Sequence, residues 1–312
     1  MMTNLDVVKN LENWSRFLSQ IRRFFEERQF LEVQTPTLVQ CPGTEPYIDF
    51  YSTKHFFLPP SPEYSLKKIL ALTHRSVFEI RTCFRDELMS PHHRREFFML
   101  EWYSVGIGFS DFQQQVIDFL SDTGRHWGFA QERYEVWRVD ELFWNRLGLF
   151  LKPDTKADDL KEWCLKKGHH HVLDWDFDDL FHFLMVEYVQ PFLDGKELVI
   201  LSHYPPSQAA LAQKDSDGWA LRFEVFFRGI ELGNAFEELQ EVEEYLRRFE
   251  WENKKRKSLG RKEVPLDHHF IEAMKKGWPQ GTCGIALGLE RWFMLLCGQR
   301  HIHFWSPLFT GE

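Results

Sequence analysis

The stretch from Val77 to Tyr103, VFEIRTCFRDELMSPHHRREFFMLEWY, constrains the fold more than any other part of the chain. Side chains on a strand alternate between faces with period two. On that period Phe78, Ile80, Thr82 and Phe84 fall on one face, and Glu79, Arg81, Cys83, Arg85 and Glu87 on the other. After a polar loop, Phe98, Leu100 and Trp102 share one face, while Phe97, Met99, Glu101 and Tyr103 share the opposite one. Paired as a hairpin, the strands have a core face and a second face that presents an arginine, carboxylates, a flat ring and a phenol together.

The flanking segments supply what such a hairpin packs against. Leu11 to Arg28 repeats apolar residues at helical spacing (Leu11, Trp14, Phe17, Leu18, Ile21, Phe24, Phe25), which predicts an amphipathic helix. Phe30 to Leu38 alternates like a strand that Pro36 confines to an edge or terminus. A helix followed by an edge strand suits a dimer surface or packing on its own domain equally well. Ser61-Pro62-Glu63 predicts a helix start, with a capping hydroxyl, a proline in the first turn and an acid near the positive end of the dipole. Asp111 to Trp127 reads as a further helix.

Residues 139–193 are rich in Trp and Asp, are predicted helical, and read as an insertion within the domain. His169, His170 and His171 stand there as neighbours, a spacing that does not converge on one ion. Strands return in ELVILSHY and RFEVFFRGIELGNAFEEL, where a turn at Arg228-Gly229 separates Glu224 and Phe226 from Glu231. Two carboxylates facing each other across a turn are costly without a cation. The basic run Lys254 to Glu263 reads as a solvated helix end and loop. GTCGIALGLERWFMLL predicts a small-residue strand, a glycine at Gly288 and a helix with Arg291 near its start; glycine lets another group approach the backbone closely. Without an internal repeat, low-complexity linker or break in composition, residues 1–312 read as one α+β domain on a mainly antiparallel sheet.

Composition narrows the function classes. No run approaches the roughly 18 apolar residues of a membrane span, and the start lacks a basic region followed by an apolar stretch, so a cytoplasmic protein without membrane contact is expected. Five scattered cysteines without a CxxC pair predict free thiols. Lys+Arg 38 against Asp+Glu 47 gives a net charge of −9, which disfavours a broad grip on a polyanion.

The chemistry-bearing residues suit a nucleotide and an amine. Arginine forks match phosphate oxygens, so Arg85 and Arg291 are candidates to grip a triphosphate such as ATP. Glu224 and Glu231 suit Mg²⁺ held against the same phosphates, and Phe97 suits stacking on a base. Glu63, Glu101 and Glu238 exceed what ATP needs, which points to a cationic second substrate.

These same residues carry a resemblance. FRDE (Phe84 to Glu87) followed by REFFMLEWY resembles motif 2 of the class II aminoacyl-tRNA synthetases, GIALGLER resembles motif 3, and RFFEERQFLEVQTPTL is similar to motif 1. Within that class SPEY, MLEWY and IELGNAFEEL resemble the lysyl-tRNA synthetases, and the likeness covers nearly the whole chain. Motif 1 stands so near the start that no room is left for the anticodon-binding barrel those enzymes place before it. Chain length, SPEY, HYPPSQAALAQ and LEWY together resemble the short paralogues that modify translation elongation factor P, the β-lysine ligases.

The resemblance implies a class II catalytic core, a homodimer formed through motif 1, elongation factor P rather than tRNA as acceptor, and a two-step reaction through an aminoacyl-adenylate. It makes Arg85 and Arg291 catalytic. It assigns Arg85, Glu87, His93, Phe97, Glu224, Glu231 and Arg291 to ATP, and Glu224 and Glu231 to Mg²⁺. Ser61, Glu63, Glu101, Tyr103, Gly233, Asn234 and Glu238 fall to the lysine or β-lysine pocket. Three positions depart from the family pattern. His93-Arg94-Arg95-Glu96-Phe97 stands where His-Asn-Pro-Glu-Phe is usual, and Glu290 stands where aspartate precedes the motif 3 arginine. Gly233 stands where the β-lysine ligases often carry alanine, and one methyl shifts a small-pocket preference by about 1–3 kcal/mol, so α- versus β-lysine stays open. The alternatives are a truncated lysyl-tRNA synthetase paralogue acting on tRNA or another acceptor, and a non-catalytic regulatory paralogue. The presence of Arg85, Glu224, Glu231 and Arg291 favours activity.

Overall fold

The computed structural model of the protein describes residues 4–129 and 134–305. In chain order its elements are α1 (Asn4–Glu26), β1 (Leu31–Glu32), α2 (Glu63–Thr73), β2 (Val77–Phe84), β3 (Glu96–Val105) and α3 (Phe109–Gly124). They continue with β4 (Glu135–Arg138), α4 (Val139–Leu147), α5 (Ala157–Lys166), α6 (Phe177–Leu184), α7 (Gln190–Asp194), β5 (Leu198–Tyr204), β6 (Ala220–Phe227) and β7 (Ile230–Glu237). The last are α8 (Val242–Ser258), α9 (His268–Lys276), β8 (Thr282–Gly288) and α10 (Leu289–Leu296). Helices and mainly antiparallel strands make this the α+β fold that the sequence predicts. The chain divides into a first unit, Met1–Glu132 with Leu239–Glu312, and a second, Arg133–Glu238.

In the first unit the strand order is β1-β2-β3-β8, with β1 parallel to β2 and the other two pairs antiparallel. The central hairpin pairs in one register, Phe78 opposite Trp102 and Glu79 opposite Glu101. Its apolar face is covered by α1 and α3. Phe25 stacks on Phe78 with ring centroids 4.4 Å apart, and Phe119 lies 5.1 Å from Trp102. Such pairs each add about 0.5–1.5 kcal/mol beyond the area they bury. Trp14, Phe17, Ile21, Phe24 and Phe25 are buried as the helical period requires, while Leu11 is left exposed.

The other face of the hairpin differs from the sequence reading in two respects. Glu79 and Arg81 are buried and serve the backbone of a neighbouring segment. Glu79 accepts the Thr35 N–H at 2.9 Å and its hydroxyl at 2.8 Å, and Arg81 Nη1 donates to the Pro36 carbonyl at 3.3 Å. With residues 35 and 36 bonded to side chains, β1 ends at Glu32 and does not run on to Leu38. In addition β2 ends at Phe84, so Arg85 and Glu87 belong to the connecting loop. The Arg85 N–H still donates to the Arg95 carbonyl at 2.9 Å, which holds the loop's two ends together.

The basic run after Lys254 is only partly solvated. Arg256 is 3% exposed. Its Nε donates to the Lys262 carbonyl at 2.9 Å and its Nη1 to the carbonyls of Glu45 and Ile48 at 2.8 Å, so it fastens the segment around residue 45.

The second unit has strand order β4-β5-β6-β7, with β4 parallel to β5 and the remaining pairs antiparallel. Residues 139–194 form α4 to α7, and their apolar faces pack with Val199, Leu201 and Phe226 of the sheet. Arg228 and Gly229 turn the β6–β7 hairpin with φ of 48° and 76°, the double positive φ of a type I′ turn. Glycine is required at 229 on a second ground, because a Cβ there would meet Asp194 Oδ1 at 2.0 Å. All five cysteines are free. Among the described residues, no helix is long and apolar enough to cross a membrane.

Candidate active site

In the first unit the start of α2 and the strand β3 bring two acidic side chains, Glu63 and Glu101, into one neighbourhood. The helix starts at Glu63, with Pro62 at the N-cap position, so Ser61 lies one residue earlier than a capping residue. Its hydroxyl nevertheless accepts the Glu63 N–H at 3.0 Å, and it donates to Glu101 Oε2 at 2.5 Å. Tyr103, two residues along β3 and so on the same face as Glu101, donates its hydroxyl to Glu101 Oε1 at 2.6 Å. Glu101 is therefore a buried carboxylate, 1% exposed, oriented by two hydroxyls.

Across the ladder β8 sets Gly284 opposite Tyr103, Ala286 opposite Glu101 and Gly288 opposite Met99. Its larger residues Cys283, Ile285 and Leu287 fall on the alternate face, in the core. Small residues opposite Tyr103, Glu101 and Met99 are the kind that let another group approach the backbone closely.

Glu63 keeps its place as a first-turn acid and gains a partner that sequence reasoning missed. Lys67 is 1% exposed, and its Nζ donates to Glu63 Oε1 at 2.6 Å. The i,i+4 spacing of the two was the signal that would have found it. Burial first, and the Glu63 carboxylate second, push Glu101 up to about 8, while Ser61, Tyr103 and Lys67 act the other way. The unfolded chain ionises such a group in the ordinary carboxylate range, so between there and about 8 the folded state holds the extra proton. That stability is complete below the ordinary range and is lost as pH rises through about 8. Thermal melts of the substrate-free protein are accordingly expected to fall between mildly acidic and mildly alkaline pH. Glu101→Gln should remove that part of the slope; an unchanged profile would mean that Glu101 is ionised throughout.

The loop between β2 and β3 gathers the candidate phosphate and base contacts. Arg85 Nε is buried and has no hydrogen-bond partner among the described residues. Its guanidinium lies over the Phe97 ring, 5.1 Å from the centroid. His93 Nδ1 bonds the Ser90 hydroxyl at 2.7 Å. Burial chiefly, then the Arg291 and Arg85 charges, push the His93 imidazole below its ordinary value against the pull of Glu87. That imidazole, its neutral form favoured, shares one neighbourhood with Arg85, Glu87 and Arg291. Arg291, in the first turn of α10, donates from Nε to the His92 carbonyl at 3.1 Å.

In the second unit a β-bulge arranges the candidate metal ligands. Val225 pairs with Gly233 but Phe226 pairs with Glu231, so Leu232 has no partner in the ladder. Residues directly opposite in a ladder share a face, which puts Glu231 with Phe226 and Asn234 with Glu224 on the same side. A regular strand would have set Glu231 and Asn234 on opposite faces. The same register takes Gly233 off this face, so a methyl there would point to the side of buried Val225. Glu238, just beyond β7, is 1% exposed and is bridged through its backbone to Ala212.

Arg222 is the residue missed here. Its Nη2 pairs with Glu224 Oε1, its Nε donates to Asn234 Oδ1 at 3.0 Å, and its guanidinium lies 4.4 Å from the Tyr204 ring centroid. Alternation along β6 already placed it beside Glu224, two residues away. Burial raises the Glu224 carboxyl, with Glu231 adding to the rise and Arg222 opposing it. Among the described residues no group of three or more His, Cys, Asp or Glu side chains is arranged to hold a metal ion. Two glutamates on one face with an amide beside them fit the sparser donor set that Mg²⁺ takes when phosphate supplies the remaining oxygens.

Comparison with known proteins gives these features a lineage. The family described as tRNA synthetases class II (D, K and N) matches residues 1–307. An elongation factor P–(R)-β-lysine ligase of Vibrio atlanticus (strain LGP32) is 35% identical over 309 residues, 95% of this chain and 94% of the relative. Ligases of the same name from Haemophilus ducreyi (strain 35000HP / ATCC 700724) and Histophilus somni (strain 2336) are 34% and 33% identical, each over 95% of this chain. The chain belongs to the class II tRNA synthetase family (D, K and N), within its group of elongation factor P–(R)-β-lysine ligases.

Proposed function

We propose that this protein is an ATP-dependent ligase that activates (R)-β-lysine as its adenylate and transfers it to a lysine side chain of elongation factor P. The reading rests above all on Glu101, a carboxylate taken out of water, held by Ser61 and Tyr103, and facing a strip of small residues. A pocket of that kind rewards an ammonium group that replaces the proton, so amine binding near neutral pH releases a proton.

In the first step the carboxylate of the amino acid attacks the α-phosphorus of ATP and pyrophosphate leaves. Arg85 supplies a preorganised donor for the charge on the α-phosphate, and Arg291 holds the γ-phosphate. Glu87, His93 and Phe97 position the nucleotide, and the burial and neighbouring arginines that favour the neutral imidazole suit His93 to a hydrogen-bonding role. Ser61, Glu63, Glu101, Tyr103, Asn234 and Glu238 recognise the amines and orient the carboxylate. Gly233 contributes backbone. Glu224 and Glu231 are the residues that would hold Mg²⁺, which when bound offsets the charge of the leaving pyrophosphate. In the second step the ε-amine of the acceptor lysine attacks the mixed anhydride, AMP leaves, and an amide forms. No protein nucleophile is needed; positioning carries the rate. The ligase works in the cytoplasm as a homodimer through its motif 1 segment, and tRNA is not its acceptor.

Pyrophosphate exchange measured with L-lysine and with both β-lysine enantiomers, followed by mass analysis of elongation factor P and of tRNA, tests the reading. Exchange with (R)-β-lysine and an added mass on the protein are expected. Charging of tRNA with no protein adduct would favour a truncated lysyl-tRNA synthetase paralogue.

A further inference from the structure

Two residues without a role so far tie the β2–β3 loop to the helix that carries Arg291. Arg94 in the loop is 5% exposed, and its Nη2 donates to Oε1 of Glu290, itself 2% exposed in the first turn of α10. The second oxygen of Glu290 accepts the Phe98 N–H at 3.0 Å. The next residue, Arg291, bonds the His92 carbonyl at 3.1 Å, and the Pro91 carbonyl accepts the Ile302 N–H at 3.0 Å. His93 and Phe97 sit between these ties, and Phe97 in turn lies under the Arg85 guanidinium.

A loop of this kind ordinarily sits at the mobile end of a fold. Here it is anchored by a charge pair withdrawn from water. Such pairs seldom stabilise a fold more than apolar residues of equal volume do, because desolvation offsets their attraction. What an ion pair adds that an apolar contact lacks is direction: Glu290 fixes Arg94 with one oxygen and the backbone of Phe98 with the other.

We propose that Arg94 and Glu290 form a positioning pair for the nucleotide site, holding His93 and Phe97 in register with Arg291. The inference rests on the ATP reading given above. Both are positions where the chain departs from the usual sequence pattern, asparagine in the loop and aspartate in the helix. Their direct bond makes the two departures one linked change: a buried guanidinium in the loop, matched by a carboxylate with the reach to meet it.

The test compares the wild type with R94N, E290D and the double variant R94N/E290D. Binding of a non-hydrolysable ATP analogue, KM and kcat in pyrophosphate exchange, and melting temperature are read for each. Each single variant is expected to weaken analogue binding and raise KM for ATP by about tenfold, the size of coupling found within one charged network, with the amine KM little changed. Because both single variants break the same contact, the double variant is expected to lose no more than the worse of the two. Single variants that melt lower yet bind the analogue as the wild type does would overturn the positioning role. A double variant whose loss is the product of the singles would overturn the linkage. Wild type that fails to bind the analogue at all would overturn the ATP reading itself, an outcome distinguishable from the other two. Should either single variant not fold, R94K, which keeps the buried charge without the planar fork, is read in the same way.

Discussion

Arg85→Ala will slow pyrophosphate exchange by about 10²–10³-fold, the usual loss when one donor aimed at developing negative charge is removed. The fold should scarcely register the change. Arg85 Nε has no hydrogen-bond partner among the described residues, and the contact given up is the one with Phe97, worth about 0.5–1 kcal/mol at a site of intermediate exposure. A buried donor left without an acceptor normally costs stability, and under the proposed reading the α-phosphate supplies that acceptor. Lysine at this position keeps the charge but not the planar fork, and Arg85→Lys should recover only part of the rate. Exchange kinetics and melting curves of the three proteins check the expectation. Full activity in Arg85→Ala would remove this residue from the chemistry.

Glu101→Gln will raise KM for the amine-bearing substrate by about 10²-fold or more, because removing one partner of a buried charge pair costs about 2–5 kcal/mol. KM for ATP should move little, since the residues that hold Glu101 are Ser61 and Tyr103 and not those of the β2–β3 loop. The two hydroxyls can rotate to meet the amide, so the substitution tests charge more than shape. Exchange measured against amino-acid concentration at fixed ATP reads the effect. Equal losses in both KM values would point to general damage of the pocket.

Legibility of the sequence followed the range of the physics. Alternation over Val77 to Tyr103 gave the hairpin and its apolar face, since that period is local and one face is packed by α1 and α3. The same alternation did not tell charge that binds a ligand from charge that braces the backbone, so Glu79 and Arg81 looked equivalent to Glu101. Their difference lies in Thr35 and Pro36, far away in sequence. Lys67 and Arg222 were within reach of local spacing, at i,i+4 from Glu63 and i,i+2 from Glu224. Spacing alone does not tell whether such a cation turns to its acid or to solvent, and here both turn to the acid. The Arg94–Glu290 contact had no local signal at all: it joins a loop to a helix 196 positions further along the chain, and only the two departures from the usual pattern pointed there.

The unpaired Leu232 in β7 also bears on how this hairpin can be transplanted. Grafting Glu231 and Asn234 as point substitutions onto a regular hairpin would set them back to back, one on each side of the sheet. The segment 230–238 is thus portable only as a block, spacer included. Any alignment that closes the extra residue as a gap will match the letters of the motif while misplacing its chemistry.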